Sequence, residues 1–351
     1  MKGLVKFAKG EEGVEIREIP VPILSEGELK VKVLAAGICG SDIHAVRDEG
    51  NRAVNMPVIL GHEYVGQVVE TCGDTGEFKA GDWVTTLPAC YSCGDCEFCR
   101  AGLVTLCKNR KSIGTHVNGA MAQYVKVPAK YSFKLPESAK TMEEKKIYAL
   151  AEPMCCVVRG IYERITVKPG DLAVVSGPGP MGLLAVQLFK ERGAYVVVSG
   201  LPMDRERLNL ALQLGADEAV ESFEALQAAV YGRNPAGADV TCDTTGVAPA
   251  LANCFEIVKT HGVHLQVGIF GKPIQINIDR LFDKEVNYVA TNSTAMSSWK
   301  IGMALLDQKK VDLTPLMNME VSLDNWREGF DRAIDKTKLK VVLLPDNDFE
   351  V

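Results

Sequence analysis

The sequence predicts an α/β fold, in which a mostly β N-terminal region is followed by a doubly wound parallel sheet. Up to about residue 155, short apolar runs bounded by Gly or Pro indicate an irregular β region. From about Gly160 onward, short buried strands alternate with helix-periodic segments. This alternation is typical of the βαβ units that build a parallel sheet.

The predicted elements follow in order along the chain. In the β region the apolar runs lie at residues 29–38, 58–60, 64–70 and 82–87. In the α/β region the predicted strands lie at residues 172–176, 194–199, 238–243 and 263–268, and the predicted helices at residues 181–193, 206–215 and 250–259. A helix at residues 297–308 and a closing strand at residues 340–345 come last.

The length of 351 residues favours two domains of roughly 150 to 200 residues each. We expect a first domain at residues 1–156, the parallel-sheet domain at residues 157–294, and a segment at residues 295–351 that returns to the first domain. We expect the closing strand to pair with the β region.

Composition narrows the possible partners and location. Apolar residues make up 47% of the chain and charged residues 24%, which is ordinary globular usage. No stretch approaches the ~20 apolar residues of a membrane span, and the N-terminal residues do not resemble a secretory signal. We therefore expect a cytoplasmic protein without a membrane partner. The net charge of −6, without a block of Lys and Arg, argues against nucleic acid and favours a small-molecule partner.

Four cysteines predict a structural zinc site. Cys93, Cys96, Cys99 and Cys107 are spaced by three, three and eight residues, so that a tight knuckle supplies three thiolates and a short loop returns the fourth. The residues between them are polar and turn-forming, which disfavours incidental small hydrophobes. Because all four ligands come from protein, this zinc should stabilise a loop and take no part in chemistry. Cys90 is left over as a spare.

A second group of residues predicts a metal site with an open position. Cys39 lies in GICGSDIH, His62 and Glu63 lie in GHEYVG, and Glu152 in AEPMCC can supply another carboxylate. Catalytic zinc uses three protein ligands and leaves the fourth position for water or substrate.

A glycine-rich turn predicts a dinucleotide site. The segment VVSGPGPMG at residues 174–182 matches GxGxxG through Gly177, Gly179 and Gly182, directly after a strand and at the start of a helix. The glycines allow the tight turn and the close approach of the pyrophosphate to the helix N-terminus. We expect cofactor contacts from residues of the turn and from later strand ends, namely Gly177, Gly179, Pro180, Met181, Gly182, Ser199, Gly200, Arg205, Arg207 and Val267.

The end of the second strand favours NADP. An NAD site usually carries Asp or Glu there to bind the ribose hydroxyls, whereas this chain has Gly200. Ser199, Arg205 and Arg207 could donate to a 2′-phosphate. Asp204 lies nearby, and the two arginines could simply be solvated helix charges, so NAD remains the alternative.

The motifs together resemble a known family. GICGSDIH, GHExxG, the cysteine segment and the glycine turn stand in the order and spacing of the zinc-dependent medium-chain alcohol dehydrogenases, over essentially the whole chain. The sequence is most similar to the polyol (sorbitol) and threonine 3-dehydrogenase branch. The resemblance implies a GroES-like catalytic domain, a Rossmann cofactor domain and a homodimer or homotetramer.

The resemblance also implies roles for individual residues. Cys39 and His62 would bind the catalytic zinc, with Glu63 and Glu152 as inner ligand or through-water partner. Ser41 and His44 match the positions that relay the substrate proton to solvent. The implied reaction is reversible oxidation of a secondary alcohol, with hydride transfer to the nicotinamide.

Two residues depart from the family pattern. Cys72 stands where the family usually has Gly or Ala, and we expect it to shift a turn and leave the zinc untouched. Arg159 stands where sorbitol-type members tend to have His, and MCCVVRG lacks the Asn-bearing run of threonine-type members, so the substrate stays open within this branch. A polyol or sugar derivative is the leading substrate, and threonine or another amino alcohol is the nearest alternative. The presence of Cys39, His62 and Glu152 argues against a zinc-free quinone or enone reductase. The relay residues argue against a non-catalytic nucleotide-binding protein.

Overall fold

The protein is described here by a computed structural model that covers residues 1–49, 54–335, 337–345 and 349. Its strands are β1 (Lys2–Lys6), β2 (Val14–Glu18), β3 (Glu28–Gly37), β4 (Val58–Ile59), β5 (Glu63–Cys72), β6 (Trp83–Thr86), β7 (Tyr124–Pro128), β8 (Ser132–Lys134), β9 (Leu172–Ser176), β10 (Tyr195–Ser199), β11 (Glu218–Val220), β12 (Ala238–Asp243), β13 (Val258–Gln266), β14 (Asn287–Ala290), β15 (Met317–Ser322) and β16 (Lys340–Leu344).

The α-helices connect and flank these strands. They are α1 (Gly40–Arg47), α2 (Glu97–Arg100), α3 (Met142–Lys146), α4 (Ala151–Val158), α5 (Pro180–Glu191), α6 (Arg205–Gln213), α7 (Phe223–Arg233), α8 (Ala248–Ile257), α9 (Asp279–Asp283), α10 (Met296–Asp307) and α11 (Trp326–Ile334). Short 3₁₀ turns lie at Glu11–Gly13, Val104–Leu106, Ala129–Tyr131, Ile147–Leu150, Pro202–Asp204, Thr314–Leu316 and Leu323–Asn325, and a π-helical turn at Arg159–Arg164. No described helix is long and apolar enough to cross a membrane.

The chain divides into two compact units. The first unit comprises Met1–Pro153, Thr294–Asp307 and Leu313–Val351, and the second comprises Met154–Ser293 and Gln308–Asp312.

The second unit contains a six-stranded sheet in the order β11-β10-β9-β12-β13-β14. Every neighbouring pair in it is parallel. In chain order this is the 3-2-1-4-5-6 arrangement of doubly wound dinucleotide-binding sheets. The predicted α/β fold is therefore confirmed. The sequence pattern had not identified β11, α7 or β14.

Side-chain periodicity explains how this sheet packs. Leu172 and Val174 are two residues apart on β9, so they face the same side of the sheet, where they cluster with Val197 of β10. Leu226 and Val230, four residues apart on α7, cover the same cluster from the helix side. Helix α7 begins at the cap residue Ser222, whose hydroxyl accepts the N–H of Ala225 at 3.1 Å. Side chains two residues apart on the strand and four residues apart on the helix thus pack into one hydrophobic core.

The first unit is mostly β, as the short apolar runs of the sequence predict. Its described strands pair antiparallel, except that β15 and β16 are parallel. A seven-stranded sheet has the order β15-β16-β3-β5-β6-β8, and β7 also pairs with β3. A smaller sheet has the order β2-β1-β4. Strand β16 pairs antiparallel with the end of β3 at Val342↔Gly37 and Leu343↔Ala36.

Trp299 anchors helix α10 within the first unit. Its side chain is fully buried and stacks on Phe133, with ring centroids 5.0 Å apart and planes inclined by 9°. Its indole N–H is buried and meets no hydrogen-bond partner within the described part of the chain. Burial of the large aromatic ring therefore stabilises this contact, whereas burial of the N–H without a partner destabilises it.

We expect Trp299→Ala to lower the free energy of unfolding by about 3–5 kcal/mol, because it leaves a large cavity. Trp299→Phe should cost far less, because it keeps an aromatic ring over Phe133 and removes the unpaired N–H. Urea unfolding followed by circular dichroism measures both. Equal losses for the two variants would contradict this account of the contact.

Candidate functional site

The register of β3 with β5 brings three of the predicted metal ligands together. Gly37, the last residue of β3, pairs with Glu63, the first residue of β5. Cys39 follows β3 as the N-cap of α1, and His62 directly precedes β5. One ligand atom from each of Cys39, His62 and Glu63 lies within 4.8 Å of the others. A thiolate, an imidazole and a carboxylate thus converge on one point.

The two carboxylate oxygens of Glu63 have different surroundings. Its side chain is 1% exposed, and Oε2 forms an ion pair with the ammonium of Lys340. A Cβ on Gly37 would overlap that oxygen, so glycine is needed there to make room for the carboxylate. Oε1 is buried and has no hydrogen-bond partner among the described residues. A buried, unpaired carboxylate oxygen is unfavourable unless something else binds it, and a cation meets that need.

Lys340 is a residue of this site that sequence reasoning missed. It is the first residue of β16, is almost fully buried, and also donates to the carbonyl oxygen of Ile38 at 2.9 Å. Burial lowers the pKa of Lys340, but the charges of Glu63, Cys39 and Glu152 raise it by more, so it lies above its usual value. The contribution of Glu152 places that buried carboxylate near the same ammonium. A charged residue opening the apolar strand KVVLL was the only signal in the sequence.

Asp42 is a second residue that sequence reasoning missed. It is buried in the first turn of α1, where its Oδ2 accepts the N–H of Cys39 at 2.9 Å and its Oδ1 lies 3.4 Å from Nδ1 of His62. Burial lowers the pKa of His62, but Asp42 and Cys39 raise it by more, so it lies well above its usual value. Because Nδ1 faces the carboxylate, Nε2 is the nitrogen left for a metal.

Ser41 and His44 lie on the same helix, three residues apart and hence on one face. The hydroxyl of Ser41 is 3.5 Å from Nε2 of His62, which places it beside the metal ligands. The imidazole of His44 is about half exposed and lies 3.6 Å from a carboxylate oxygen of Glu49. Ser41 therefore lies beside the Cys39–His62–Glu63 group, and His44 lies at the solvent-exposed surface.

The four cysteines predicted to bind structural zinc form a compact cluster. The ligand atoms of Cys93, Cys96, Cys99 and Cys107 all lie within 4.8 Å of one another. Cys93 Sγ is 3.8 Å from Cys99 Sγ and 3.6 Å from Cys107 Sγ. Four sulfurs at about 2.3 Å from one zinc ion are spaced by about 3.8 Å, so the cluster has tetrahedral dimensions. The leftover Cys90 is buried outside this group.

Backbone groups prepare this cluster for metal. The N–H groups of Cys96 and Asp95 lower the pKa of Cys93 to about 6, which favours the thiolate that binds zinc. Gly94 and Gly102 have φ of 79° and 75°, left-handed values that turn the chain between ligands. The donor set and its geometry both fit a structural zinc ion.

The glycine turn joins β9 to α5 in the second unit. Gly177 has φ of 96°, and a Cβ there would overlap the side chain of Thr245. A Cβ on Gly182 would overlap the carbonyl oxygen of Gly177. On Gly179, the N-cap of α5, an added Cβ would meet no described atom within 4 Å. Two glycines close the turn and the third leaves space at the helix N-terminus, where a pyrophosphate fits.

The remaining predicted cofactor residues lie at strand ends and on helices α5 and α6 in the same unit. Ser199 ends β10, and Pro180 and Met181 form the first turn of α5. Val267 follows β13, and its N–H donates to the carbonyl oxygen of Asp243 at 2.9 Å. Arg205 is engaged with a carboxylate: its Nε and Nη2 donate to the two oxygens of Glu221 at 2.7 and 2.8 Å. Contact with a phosphate therefore requires this exposed pair to open.

Two family models match this chain. Residues 25–137 match the alcohol dehydrogenase GroES-like domain, and residues 180–308 match the zinc-binding dehydrogenase domain.

Curated relatives match over nearly the whole chain. A D-arabitol-phosphate dehydrogenase of Enterococcus avium is 33% identical over 98% of this chain and 97% of its own length. A sorbitol dehydrogenase of Halalkalibacterium halodurans is 34% identical over 98% and 99% of the two chains. An L-threonine 3-dehydrogenase of Edwardsiella ictaluri is 30% identical over 98% and 99%.

A solved structure shows the same fold. It comes from Sinorhizobium meliloti, is described as a zinc-binding dehydrogenase bound to NADP, and is 28% identical to this chain. It superimposes with a TM-score of 0.88 over 98% of this chain and 99% of its own.

We expect Lys340→Met to lower the free energy of unfolding of the metal-free protein by about 3 kcal/mol, because it leaves the carboxylate of Glu63 buried without a countercharge. The double variant Lys340→Met/Glu63→Gln should recover most of this loss. Urea unfolding of chelator-treated protein measures the cycle. A double variant that is as unstable as the sum of the single variants would contradict the pairing.

We expect Asp42→Asn to weaken zinc binding at the Cys39–His62–Glu63 group by roughly 10- to 100-fold, because the carboxylate orients His62 and increases its basicity. Titration with a competing chelator measures this affinity. The four-cysteine site serves as an internal control and should hold its zinc unchanged. Equal loss at both sites, or none at either, would refute the role of Asp42.

Proposed function

This chain belongs to the zinc-dependent medium-chain alcohol dehydrogenases, in the branch with polyol and threonine dehydrogenases, and we propose that it reversibly oxidises a secondary alcohol of a polyol or sugar derivative. The observation that carries the proposal is the convergence of Cys39, His62 and Glu63, with Glu63 Oε1 buried and unpaired. Three protein ligands with an open fourth position suit catalytic zinc.

The residues of this group have distinct parts in the proposed reaction. Cys39, His62 and Glu63 would hold the zinc ion, which when bound supplies Lewis-acid activation of the substrate hydroxyl. Asp42 keeps Nε2 of His62 turned toward the metal position through its contact at Nδ1. Lys340 binds one oxygen of Glu63 and so leaves only the other for the metal.

The substrate proton leaves through α1 in this proposal. Ser41 accepts the proton of the alcohol and at the same time releases its own hydroxyl proton toward His44, since its hydroxyl lies 3.5 Å from His62 Nε2 and hence beside the metal position. His44, one helical turn further and half exposed, passes the proton to solvent.

We further propose that the glycine turn binds NADP, whose nicotinamide supplies the hydride acceptor. Three features support this: the open space at Gly179, the absence of an acidic residue at Gly200, and the NADP reported in the Sinorhizobium meliloti relative. The four-cysteine cluster holds a second, structural zinc ion.

The substrate class rests on the relatives. Those named for D-arabitol phosphate and sorbitol are 33% and 34% identical to this chain. A second candidate is oxidation of L-threonine, which is favoured by a relative that is 30% identical over nearly its whole length.

A substrate panel tests this proposal. Zinc-loaded protein is assayed with polyols, polyol phosphates and L-threonine, each with NADP and with NAD, by following absorbance of the reduced cofactor. We expect turnover with a polyol or its phosphate. Turnover with L-threonine alone would select the second candidate, and absence of any turnover by protein that holds zinc and cofactor would refute both.

Cysteine variants connect activity to the metal. The protein should hold about two equivalents of zinc per chain, and Cys39→Ser should hold about one and lose turnover while it keeps the circular dichroism spectrum of the folded protein. Cys72→Ser, which removes a cysteine outside both groups, is the matched control and should match the unaltered protein in each measurement. Full activity in Cys39→Ser would contradict the assigned role.

A further inference from the structure

The end of β10 is closely packed around Gly200. A Cβ on Gly200 would lie 3.1 Å from Cδ of Pro178 in the glycine turn and 3.2 Å from Cβ of Asp204. Both contacts are tighter than most in folded proteins, so a side chain at this position would require these neighbours to shift. Because this position is Gly, no acidic side chain stands where one usually binds the adenosine ribose. We therefore expect recognition of the 2′ position from the residues that follow on the chain and from the neighbouring strand.

Asp204 is already committed to the local backbone. Its Oδ2 accepts the N–H of Leu201 at 3.0 Å, which closes the 3₁₀ turn Pro202–Asp204. This carboxylate therefore caps a turn, and Arg205, the next residue and the first of α6, is the nearest cation to the end of β10 in the sequence.

Glu221 reaches the same place from β11. The two strands are parallel, with Ser199 paired with Val220, and the N–H of Gly200 donates to the carbonyl oxygen of Val220 at 3.0 Å. Glu221 therefore follows its strand beside Gly200, at the carboxyl edge of the sheet where dinucleotides bind. There it binds the guanidinium of Arg205 through both oxygens, at 2.7 and 2.8 Å.

The charges of this pair bear directly on a 2′-phosphate. Arg205 is a bidentate donor of the kind that binds phosphate, and Glu221 occupies the Nε–Nη2 edge of its guanidinium. Glu221 also places a negative charge beside the position of the phosphate, which carries close to two negative charges at neutral pH. The side chains of Arg205 and Glu221 are 70% and 31% exposed, so water screens their attraction and a phosphate can displace the carboxylate.

We propose that Glu221 lowers the affinity of this protein for NADP, relative to NAD, by restraining Arg205, and so limits the NADP binding proposed above without abolishing it. The inference rests on the proposed function only in requiring that the glycine turn binds a nicotinamide dinucleotide. NAD has no 2′-phosphate and is unaffected by the orientation of Arg205. NADP gains the Nε–Nη2 edge of Arg205 only by opening the pair, and the free energy of the lost ion pair is subtracted from its affinity.

The test measures cofactor binding without any alcohol substrate. Dissociation constants for NADPH and NADH are obtained from the fluorescence of the reduced nicotinamide, using the zinc-loaded protein. We expect Glu221→Gln to strengthen NADPH binding by roughly fivefold or more and to change NADH binding by less than about twofold. Equal changes for the two cofactors, or no change for either, would overturn the inference.

Two further variants separate this effect from general charge and stability effects. Glu285→Gln removes another carboxylate, which is 71% exposed, is paired with His261, and lies two residues before β14, the strand at the opposite edge of the sheet. It should leave both dissociation constants unchanged, and a gain in NADPH affinity equal to that of Glu221→Gln would refute a local effect. In the Arg205→Met background, Glu221→Gln should improve NADPH binding by about twofold or less. An undiminished gain there would overturn the role of Arg205.

The outcome also distinguishes this inference from the proposed function. If neither NADPH nor NADH binds the unaltered protein, the proposed function fails. If both bind and the Glu221 variant does not shift their ratio, only the inference about Glu221 fails.

Discussion

The antiparallel pairing of β3 with β5 is the constraint on which the proposed metal group depends. Residues 24 positions apart, Cys39 and Glu63, reach one point only because Gly37 stands opposite Glu63 in that ladder. A slip of one residue would turn the carboxylate to the other face of the sheet. Gly37 has a second part in this arrangement, because any side chain there would collide with the oxygen that binds Lys340. Register and close packing together therefore position the ligands before any metal binds.

Buried charge explains why other elements converge on the same point. Glu63, Glu152 and Asp42 are all buried carboxylates, and each buried anion needs a partner. Lys340 of strand β16 forms an ion pair with Glu63, and the charge of Glu152 also raises the pKa of Lys340. Asp42 is satisfied by the N–H of Cys39 and by His62. The returning C-terminal segment thus has an electrostatic role in the first unit as well as a structural one, because Lys340, the first residue of β16, balances a proposed metal ligand.

The parallel sheet of the second unit creates a site by a different route. Its strands all run in one direction, so their carboxyl ends share one edge, and residues distant in sequence become neighbours there. Thr244, after β12, donates its hydroxyl to the carbonyl oxygens of Ser176 at 2.8 Å and Gly177 at 3.0 Å and so supports the glycine turn from below. Glu221, after β11, meets Arg205 at the same edge. Turn shape and cofactor preference are both affected by residues that do not belong to the glycine motif.

The sequence by itself determined the α/β fold, the family and the residue types that carry chemistry, because strand and helix periods, glycine turns and cysteine spacings are properties of neighbouring residues. It missed β11, whose three residues are all only half buried and form no apolar run. It also missed Asp42, Lys340 and Glu221, since each derives its importance from a contact. Lys340 and Glu63, which form an ion pair, are 277 residues apart in the sequence, and Arg205 and Glu221 are 16 residues apart. Such contacts depend on strand register and on the order of strands in the sheet, which are properties of the tertiary structure. Burial in that structure then determines whether a charge is solvated or needs a partner.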